Sequence, residues 1–380
     1  MTMYGEVGFF LLLLVLLLPA FLLGVFEKKR ALYILLVSVF FDAAAIGRNP
    51  AGIVVFILYV VWETGISQYY QRLYRKQGRN GRTYAAMLIL ALLPLVISKV
   101  TGVFGYTFFQ ILGISYLTFK SLQVVIEIYD GLIKDMTPFQ MAGFLLFFPT
   151  VTSGPIDRSR RYLGDLEKEL SRAEYLEMAG DGLEKLLLGA VYKFVIAAGC
   201  YHFVSVLAEE PGAGPMIGYM YAYGLYLFFD FAGYSLMAIG CSYFLGIRTP
   251  ENFNRPFQSK DIREFWDRWH ISLSHWFRDF LFTRFVMQSA RHKWFKNRLT
   301  TACVGFMINM TVMGIWHGLT LYYILYGVYH GVLLAATEIR QKRSGFHKKH
   351  KKEKWYQVIS WAVTMQLVMF GFLLFSGHLL

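Results

Sequence analysis

Long apolar segments separated by short charged breaks dominate this sequence. Because a helix rises about 1.5 Å per residue, roughly 20 mostly apolar residues are needed to cross the hydrocarbon of a bilayer. The apolar pattern predicts ten crossing helices, namely Phe9–Phe26, Ala31–Ala45, Ile53–Tyr69, Ala85–Val100, Phe104–Ile128, Leu183–Ala208, Met216–Leu245, Thr300–Ile315, Leu319–Thr337 and Val358–Phe375. Two shorter apolar stretches, Phe139–Val151 and Phe277–Met287, favour helices that enter the membrane and turn back or lie at its surface.

The basic residues indicate which breaks face the cytoplasm, because Lys and Arg concentrate in the cytoplasmic loops of membrane proteins. With the N-terminus outside, the predicted crossings place the basic breaks on the inner side, and these are Glu27–Arg30, Gln71–Arg82, Asp130–Glu184, Arg248–Lys296 and Arg340–Lys354. The acidic pair Glu209 and Glu210 then lies outside. The first apolar segment is predicted to be a retained helix and not a cleaved signal peptide, since its basic cluster follows it.

Composition supports an integral membrane protein and argues against two other classes. Apolar residues make up 56% of the 380 residues and charged residues only 17%, which does not fit two or three soluble domains. The formal net charge of +13 comes from breaks between apolar segments, so it does not indicate nucleic-acid binding. We predict one membrane-embedded domain over residues 1–380, all-α and polytopic, with ten or eleven transmembrane helices plus re-entrant and interfacial helices.

The sequence GIWHG at Gly314–Gly318 places a histidine between two apolar segments. Ionisable residues inside a membrane are costly, and by default they indicate a functional site. The flanking glycines permit unusual backbone and close approach, so His317 is predicted to lie at an unwound helix junction. An imidazole can accept a hydroxyl proton near neutral pH, which makes His317 the candidate general base, with Trp316 beside it. The alternative is a buried structural histidine hydrogen-bonded to a carbonyl.

A second unusual stretch, Phe265–Phe280, interleaves tryptophans with charged residues. Its aromatic side chains could line a passage for an acyl or pantetheine group, since such clefts are mostly apolar with few polar groups. The candidate lining residues are Trp266, Trp269, His270 and Ser274. The alternative is an amphipathic helix at the membrane surface, with its tryptophans at headgroup level. His270 and His275 lie five residues apart and off one helical face, and no metal site is predicted.

Two further stretches place polar residues beside apolar segments. In Phe147–Arg158, two prolines and a glycine end any helix, which favours a re-entrant loop; the alternative is a plain membrane-exit loop. In Phe229–Ser235, Asp230 adds a carboxylate that should face the protein interior and could support the site. The structural alternative, which the pattern favours, is a packing pair between Asp230 and an arginine.

Taken together, these stretches resemble the membrane-bound O-acyltransferase family, and more narrowly its DltB branch of D-alanyl transfer proteins. The resemblance covers roughly the whole chain. It is carried by five motifs in this order: FFPTVTSGPIDR at Phe147–Arg158, FFDFAGYSLMAIG at Phe228–Gly240, ENFNRPF at Glu251–Phe257, FWDRWHISLSHWFRDF at Phe265–Phe280 and GIWHG at Gly314–Gly318. The alginate-acetylating branch is similar too, but it usually has Asp where Leu236 follows GYS in this chain.

The resemblance implies that His317 matches the family's catalytic histidine and that His270 matches its second characteristic histidine. It implies that D-alanine arrives as a phosphopantetheine thioester on a small acidic carrier protein at the cytoplasmic face, with no cofactor bound permanently. The acyl group would leave as an ester on a hydroxyl of (lipo)teichoic acid outside, through a central funnel or tunnel. The expected location is the plasma membrane of a Gram-positive bacterium, as a multi-pass protein in contact with lipid.

Two other functions stay open from the sequence. Within the same enzyme class, the chain could O-acetylate an exopolysaccharide or peptidoglycan. In another class, a transporter or flippase also builds its substrate site from polar residues between broken helices at mid-depth. The sequence shows no paired repeats, and its histidine-centred motif favours acyl transfer. The basic inner breaks would suit electrostatic docking of an acidic carrier.

Overall fold

The computed structural model describes residues 1–47, 49–106 and 111–379. Within these ranges the regular structure is helical, apart from one isolated antiparallel bridge between Phe253 and Trp269. The chain divides into two compact units. Unit 1 comprises Met1–Ala190 and Gly233–Pro250, and unit 2 comprises Val191–Ala232 and Glu251–Leu380. The expectation of one domain over the whole chain stays a prediction.

Seven helical runs in the described ranges are long and apolar enough to cross a membrane. They are Val7–Val25, Pro50–Gln77, Gly81–Val103, Arg172–Glu209, Ala213–Phe244, Arg298–His317 and Lys354–Ser376. Each contains or overlaps a crossing predicted from the apolar pattern, and many of their apolar side chains, such as Val7, Leu14 and Val61, are exposed. Exposed apolar surface of this extent suits contact with lipid. The prediction of an all-helical membrane protein is therefore confirmed.

Unit 1 is built mainly from the first eight helices. They are α1 (Val7–Val25), α2 (Ala31–Ile46), α3 (Pro50–Gln77), α4 (Gly81–Val103), α5 (Ile114–Tyr129), α6 (Pro138–Leu146), α7 (Ser159–Glu167) and α8 (Arg172–Val191). The short α6 starts at a capping box, in which Thr137 and Gln140 each satisfy the other's backbone N–H. Local signals in the sequence therefore fix where this segment becomes helical.

The predicted crossing Phe104–Ile128 is wrong as a single helix. Helix α4 continues to Val103, and α5 begins only at Ile114, while residues 107–110 of the prediction lie outside the described residues. Gly113 has a φ of 64°, and a Cβ there would lie 2.0 Å from the carbonyl oxygen of Val151. The left-handed backbone and this close approach interrupt the helix, although the segment is mostly apolar.

A buried lysine holds the segment that was predicted to be re-entrant. Lys120 is 1% exposed, and its Nζ donates hydrogen bonds to the carbonyl oxygens of Phe144 at 2.8 Å and Leu145 at 3.3 Å. It also donates to the hydroxyl of Thr150 at 2.7 Å. The last carbonyls of a helix have no partner within the helix, so Lys120 satisfies those at the end of α6. The Phe147–Arg158 motif begins immediately after this end.

Unit 2 carries the remaining helices. They are α9 (Ala198–Glu209), α10 (Ala213–Phe244, of which Gly233 onward belongs to unit 1), α11 (Ile262–Trp266), α12 (Ile271–Phe277), α13 (Thr283–His292), α14 (Arg298–His317), α15 (Leu321–Arg343), α16 (Gly345–His350) and α17 (Lys354–Ser376). A π-helical turn at Arg278–Phe282 joins α12 to α13 without a break. The predicted short helix Phe277–Met287 is therefore the middle of a longer helical run.

Candidate active site

His317 is the last residue of α14 and lies at the break between α14 and α15. The chain is extended at Gly318, and α15 starts at Leu321. The break falls where the GIWHG motif predicted a helix junction. The His317 side chain is half-buried, so it is neither sealed in the core nor fully open.

Glycines set the close packing of the two helices that meet at this break. A Cβ on Gly314 would lie 2.4 Å from the carbonyl oxygen of Tyr323, and one on Gly327 would lie 2.4 Å from that of Met310. A Cβ on Gly318 would lie 2.4 Å from the Tyr323 ring. Small residues let helices approach closely in a membrane, where lipid gives little apolar driving force for their association. The GIWHG glycines therefore fix the position of α15 against His317.

Aromatic side chains surround the His317 imidazole. The Trp316 ring lies 4.7 Å away between centroids, and the Phe375 ring lies 5.1 Å away edge-on. Tyr323 stacks near-parallel at 5.9 Å, and Tyr326 lies edge-on at 6.3 Å. These walls restrict the orientation of the imidazole and form an apolar environment for whatever approaches it. Trp316 was a predicted neighbour, whereas Tyr323, Tyr326 and Phe375 were missed.

A signal for the missed tyrosines was present in the sequence. Tyr322, Tyr323, Tyr326 and Tyr329 recur at helical spacing in an otherwise apolar segment, and His330 follows directly. A stripe of polar groups on a membrane helix favours the protein interior. His330 is fully buried, and its Nδ1 accepts a hydrogen bond from the indole of Trp266 at 3.3 Å.

His270 occupies unusual backbone at the start of α12. Its φ of 44° lies in the left-handed region, which is uncommon for any residue other than glycine. Residues of the ENFNRPF motif hold it there, because the Ile271 N–H donates to the carbonyl of Asn252 at 2.9 Å. The Ser272 hydroxyl also donates to the Asn252 side chain at 2.6 Å. Two motifs that are separate in sequence therefore form one local structure.

The His270 side chain is buried, with 4% of its surface exposed. Its ring meets that of Phe231 edge-on at 4.7 Å, and its Nε2 has no hydrogen-bond partner among the described residues. Burial, and then the neighbouring His317, lower the pKa of His270 well below its ordinary value. His270 is therefore held in the neutral form close to His317.

A pocket of about 380 Å³ in unit 2 contains two of the predicted lining residues, Trp266 and Ser274. Asn309 and Met313 line it from α14. These two residues and His317 are spaced four apart, so they share one face of that helix. The pocket thus follows the helix face that ends at His317. Its other charged or polar lining residues are Arg263, Asp267, His275, Arg278 and Glu338.

Trp269 and Asp230 have other surroundings. Trp269 is 5% exposed and packs against Phe265 at 5.5 Å and Phe253 at 5.1 Å, in a buried aromatic cluster. Asp230 forms an ion pair with Lys193, which lies in the π-helical turn Tyr192–Ala197. The expected packing pair is present, but its cation is a lysine and not the predicted arginine. The partner could not be foreseen because it lies 37 residues away along the chain.

Comparisons with known proteins identify the family of this chain. The model of the MBOAT, membrane-bound O-acyltransferase, family matches residues 51–375. The chain is 38% identical to "Teichoic acid D-alanyltransferase" of Bacillus subtilis (strain 168), over 99% of this chain and 98% of that protein. It is 42% identical to the protein of the same name from Streptococcus thermophilus, over 99% and 95% of the two chains.

A second group of relatives is more distant. The chain is 31% identical to "Probable alginate O-acetylase AlgI" of Pseudomonas syringae pv. tomato, over 77% of this chain and 52% of that protein. Both groups carry names of acyl-transferring enzymes, and the matched region contains the GIWHG and FWDRWH motifs with the apolar helices that hold them. This chain therefore belongs to the membrane-bound O-acyltransferase family and is a membrane-embedded acyltransferase.

Proposed function

We propose that this protein transfers D-alanine from a phosphopantetheine thioester on a small acidic carrier protein to a hydroxyl of teichoic acid, with His317 as the general base. The observation that carries the proposal is the half-buried His317 at a break between two membrane helices. The substrate class is supported by relatives named teichoic acid D-alanyltransferase, which match this chain over nearly its full length.

The reaction requires from the protein a general base and a site that orients the two substrates. The acceptor hydroxyl oxygen attacks the thioester carbonyl while His317 takes the hydroxyl proton. The tetrahedral intermediate then expels the pantetheine thiolate, which receives a proton from the imidazolium. Ester and free thiol are the products, and His317 returns to its neutral form. Because the thioester is already activated, orientation and stabilisation of the developing oxyanion supply the remaining acceleration.

The pocket beside α14 supports an approach for the donor. It is lined by Trp266, Met313 and Phe306 together with polar groups, a mixture that suits a pantetheine arm with its amides and apolar spacer. Arg263 and Arg278 lie at this pocket, where they pair with Glu338 and Asp279. They belong to a break with an excess of basic residues, for which the charge pattern predicts the inner side. An acidic carrier would be attracted to such a face, and salt would weaken the contact.

Further crossings complete the proposed membrane architecture. Beyond the seven long apolar runs, α2 is apolar but shorter, and α15 is long enough but less apolar. We assign these two, with shorter helices, to the rest of the ten or eleven crossings. A funnel or tunnel reaching His317 from both membrane faces belongs to the same proposal, as does the location in a bacterial plasma membrane.

O-acetylation of a polysaccharide is the second candidate, because relatives named alginate O-acetylase also match 70–77% of this chain. Purified protein in detergent should be offered labelled D-alanyl carrier and an acetyl donor together, with teichoic acid and alginate as acceptors. D-alanyl ester on teichoic acid supports the proposal. Acetyl ester on alginate, with no D-alanyl ester, would replace it with the second candidate.

A further inference from the structure

A second pocket of unit 2, of about 500 Å³, lies where α15 ends and α17 begins. Five cationic side chains line it: Lys260, Arg340, Lys342, Lys348 and Lys351. Only two carboxylates, Asp261 and Glu264, line it with them. The charge pattern places this end of the two helices on the inner side of the membrane. We call it the basic pocket.

The two carboxylates are already engaged inside the protein. Asp261 accepts the backbone N–H of Glu264 at 2.9 Å, and its other oxygen accepts the Gln341 amide at 2.9 Å. The Glu264 carboxylate accepts hydrogen bonds from the Arg268 guanidinium and from the backbone N–H of Lys260, both at 2.8 Å. Glu264 is thus paired with Arg268, which does not line the pocket, whereas Asp261 is held by neutral donors and keeps its charge. The cations that line the pocket still outnumber its carboxylates.

Three of the other cations lack such partners, whereas Lys342 pairs with Glu338 at 3.9 Å. Among the described residues, Arg340, Lys348 and Lys351 form no ion pair with a carboxylate. The Nε of Arg340 is buried and has no hydrogen-bond partner among those residues. A guanidinium donates two parallel hydrogen bonds well to a phosphate, so this geometry is suited to an anionic ligand.

The surroundings of the pocket have residue types that membrane proteins place at the level of lipid headgroups. Helix α17, which is long and apolar enough to cross a membrane, begins at Lys354, and Val358 and Ile359 are exposed on its first turns. Trp355 and Trp361 are also exposed, and tryptophans concentrate at the boundary between headgroups and hydrocarbon. A ligand in the basic pocket would thus place a phosphate among cations and an apolar portion against exposed apolar side chains.

We propose that the basic pocket binds the phosphodiester headgroup of an anionic phospholipid of the inner leaflet. Basic pockets between membrane helices on the cytoplasmic side bind such headgroups in general. The adjoining apolar surface favours a lipid over a free phosphate, which would leave that surface uncovered. It favours a lipid over a water-soluble protein because the exposed apolar residues continue along α17, a helix long and apolar enough to cross the membrane. The inference does not depend on the acyl-transfer reaction.

The test uses the full-length protein in nanodiscs or mild detergent. Bound lipid is counted by native mass spectrometry with phosphatidylglycerol and, separately, phosphatidylcholine of the same acyl chains. The variant Arg340→Gln/Lys351→Gln removes two pocket cations. Its matched control is Arg82→Gln/Lys76→Gln, which removes an exposed Arg and Lys from another inner break. A photoreactive phosphatidylglycerol locates the site on the native protein without any variant.

The proposal expects phosphatidylglycerol to be preferred on the native protein, with adducts in residues 339–361. Loss of the two pocket cations should weaken its binding about 30-fold, while the control changes it less than about twofold. Equal losses in both variants, or no preference between the lipids, would overturn the proposal. So would displacement by millimolar glycerol 3-phosphate, or a pocket variant that loses carrier binding and keeps lipid binding.

Discussion

His317 ends a helix at a break in the chain, and its ring is half-buried among aromatic side chains. His270 begins a helix from left-handed backbone and is 4% exposed. A base must be reached by its substrate, whereas a buried neutral imidazole with strained backbone is better suited to shaping the site. The two histidines of unit 2 thus differ in how easily a substrate can reach them. His317 is accessible enough to be a candidate base, whereas His270 is better suited to positioning.

The largest effect is expected from removing the His317 imidazole. His317→Ala should lower the rate of D-alanyl transfer by about 10²–10⁴-fold, which is the range for loss of general-base catalysis. The transfer of labelled D-alanine by purified protein measures this loss. Unchanged elution and unchanged carrier binding are the controls that the variant is folded. A stable variant with native activity would remove His317 from the chemistry.

A smaller loss is expected from moving His317 without changing it. Gly314→Val adds atoms where a Cβ alone would lie 2.4 Å from the Tyr323 carbonyl, so α15 must shift. A misplacement of about 1 Å at a reacting group can cost about 10²-fold in rate. The matched control is Gly199→Val, since nothing lies within 4 Å of a Cβ at Gly199. Equal activity of the two variants would show that the glycine crossing does not position the base.

Substitution of His270 should lower the stability of the protein more than it lowers the rate of D-alanyl transfer. Asparagine tolerates left-handed backbone better than alanine does, so His270→Asn should be more stable than His270→Ala by about 1 kcal/mol. Denaturant unfolding in detergent measures the difference. Both variants should transfer D-alanine faster than His317→Ala does. If His270→Asn unfolds like the native protein and is as inactive as His317→Ala, His270 has a chemical role.

The smallest effect is expected from removing the Asn252 side chain, which helps to hold the backbone at His270. Asn252→Ala removes the oxygen that accepts the Ser272 hydroxyl at 2.6 Å but keeps the backbone bond to Ile271. The loss should be about 1 kcal/mol in the free energy of unfolding, with a correspondingly modest fall in transfer rate. An activity loss as large as that of Gly314→Val, at native stability, would show that Asn252 acts on the site more directly.

The apolar pattern predicted the helices well where an uninterrupted apolar segment crosses the membrane. The crossings that became α1, α10, α14 and α17 were placed to within a few residues, because uninterrupted apolar segments have few alternatives in lipid. The same pattern failed at Phe104–Ile128, where the break at Gly113 depends on a close approach to Val151. The pattern of hydropathy along the sequence cannot predict a tertiary contact of that kind.

The candidate site was only partly predictable for the same reason. His317, Trp316, Trp266 and Ser274 were singled out because polar groups and tryptophans stood beside apolar segments. The left-handed φ of His270 and the Lys193 partner of Asp230 arise from packing between distant segments. The spacing of the tyrosines indicates that Tyr323 and Tyr326 face the protein interior, but it does not say which residue they contact. Only the crossing of α14 and α15 and the nearby end of α17 bring them and Phe375 to His317.

The most direct test of the central claim is chemical rescue. Single-turnover D-alanyl transfer should be measured for His317→Ala and for His270→Ala, each with and without added imidazole. If His317 is the accessible base, free imidazole enters the space that the alanine leaves and restores transfer to His317→Ala in a concentration-dependent way, while His270→Ala does not respond. Rescue of His270→Ala alone, or native-like transfer by His317→Ala without imidazole, would contradict the account.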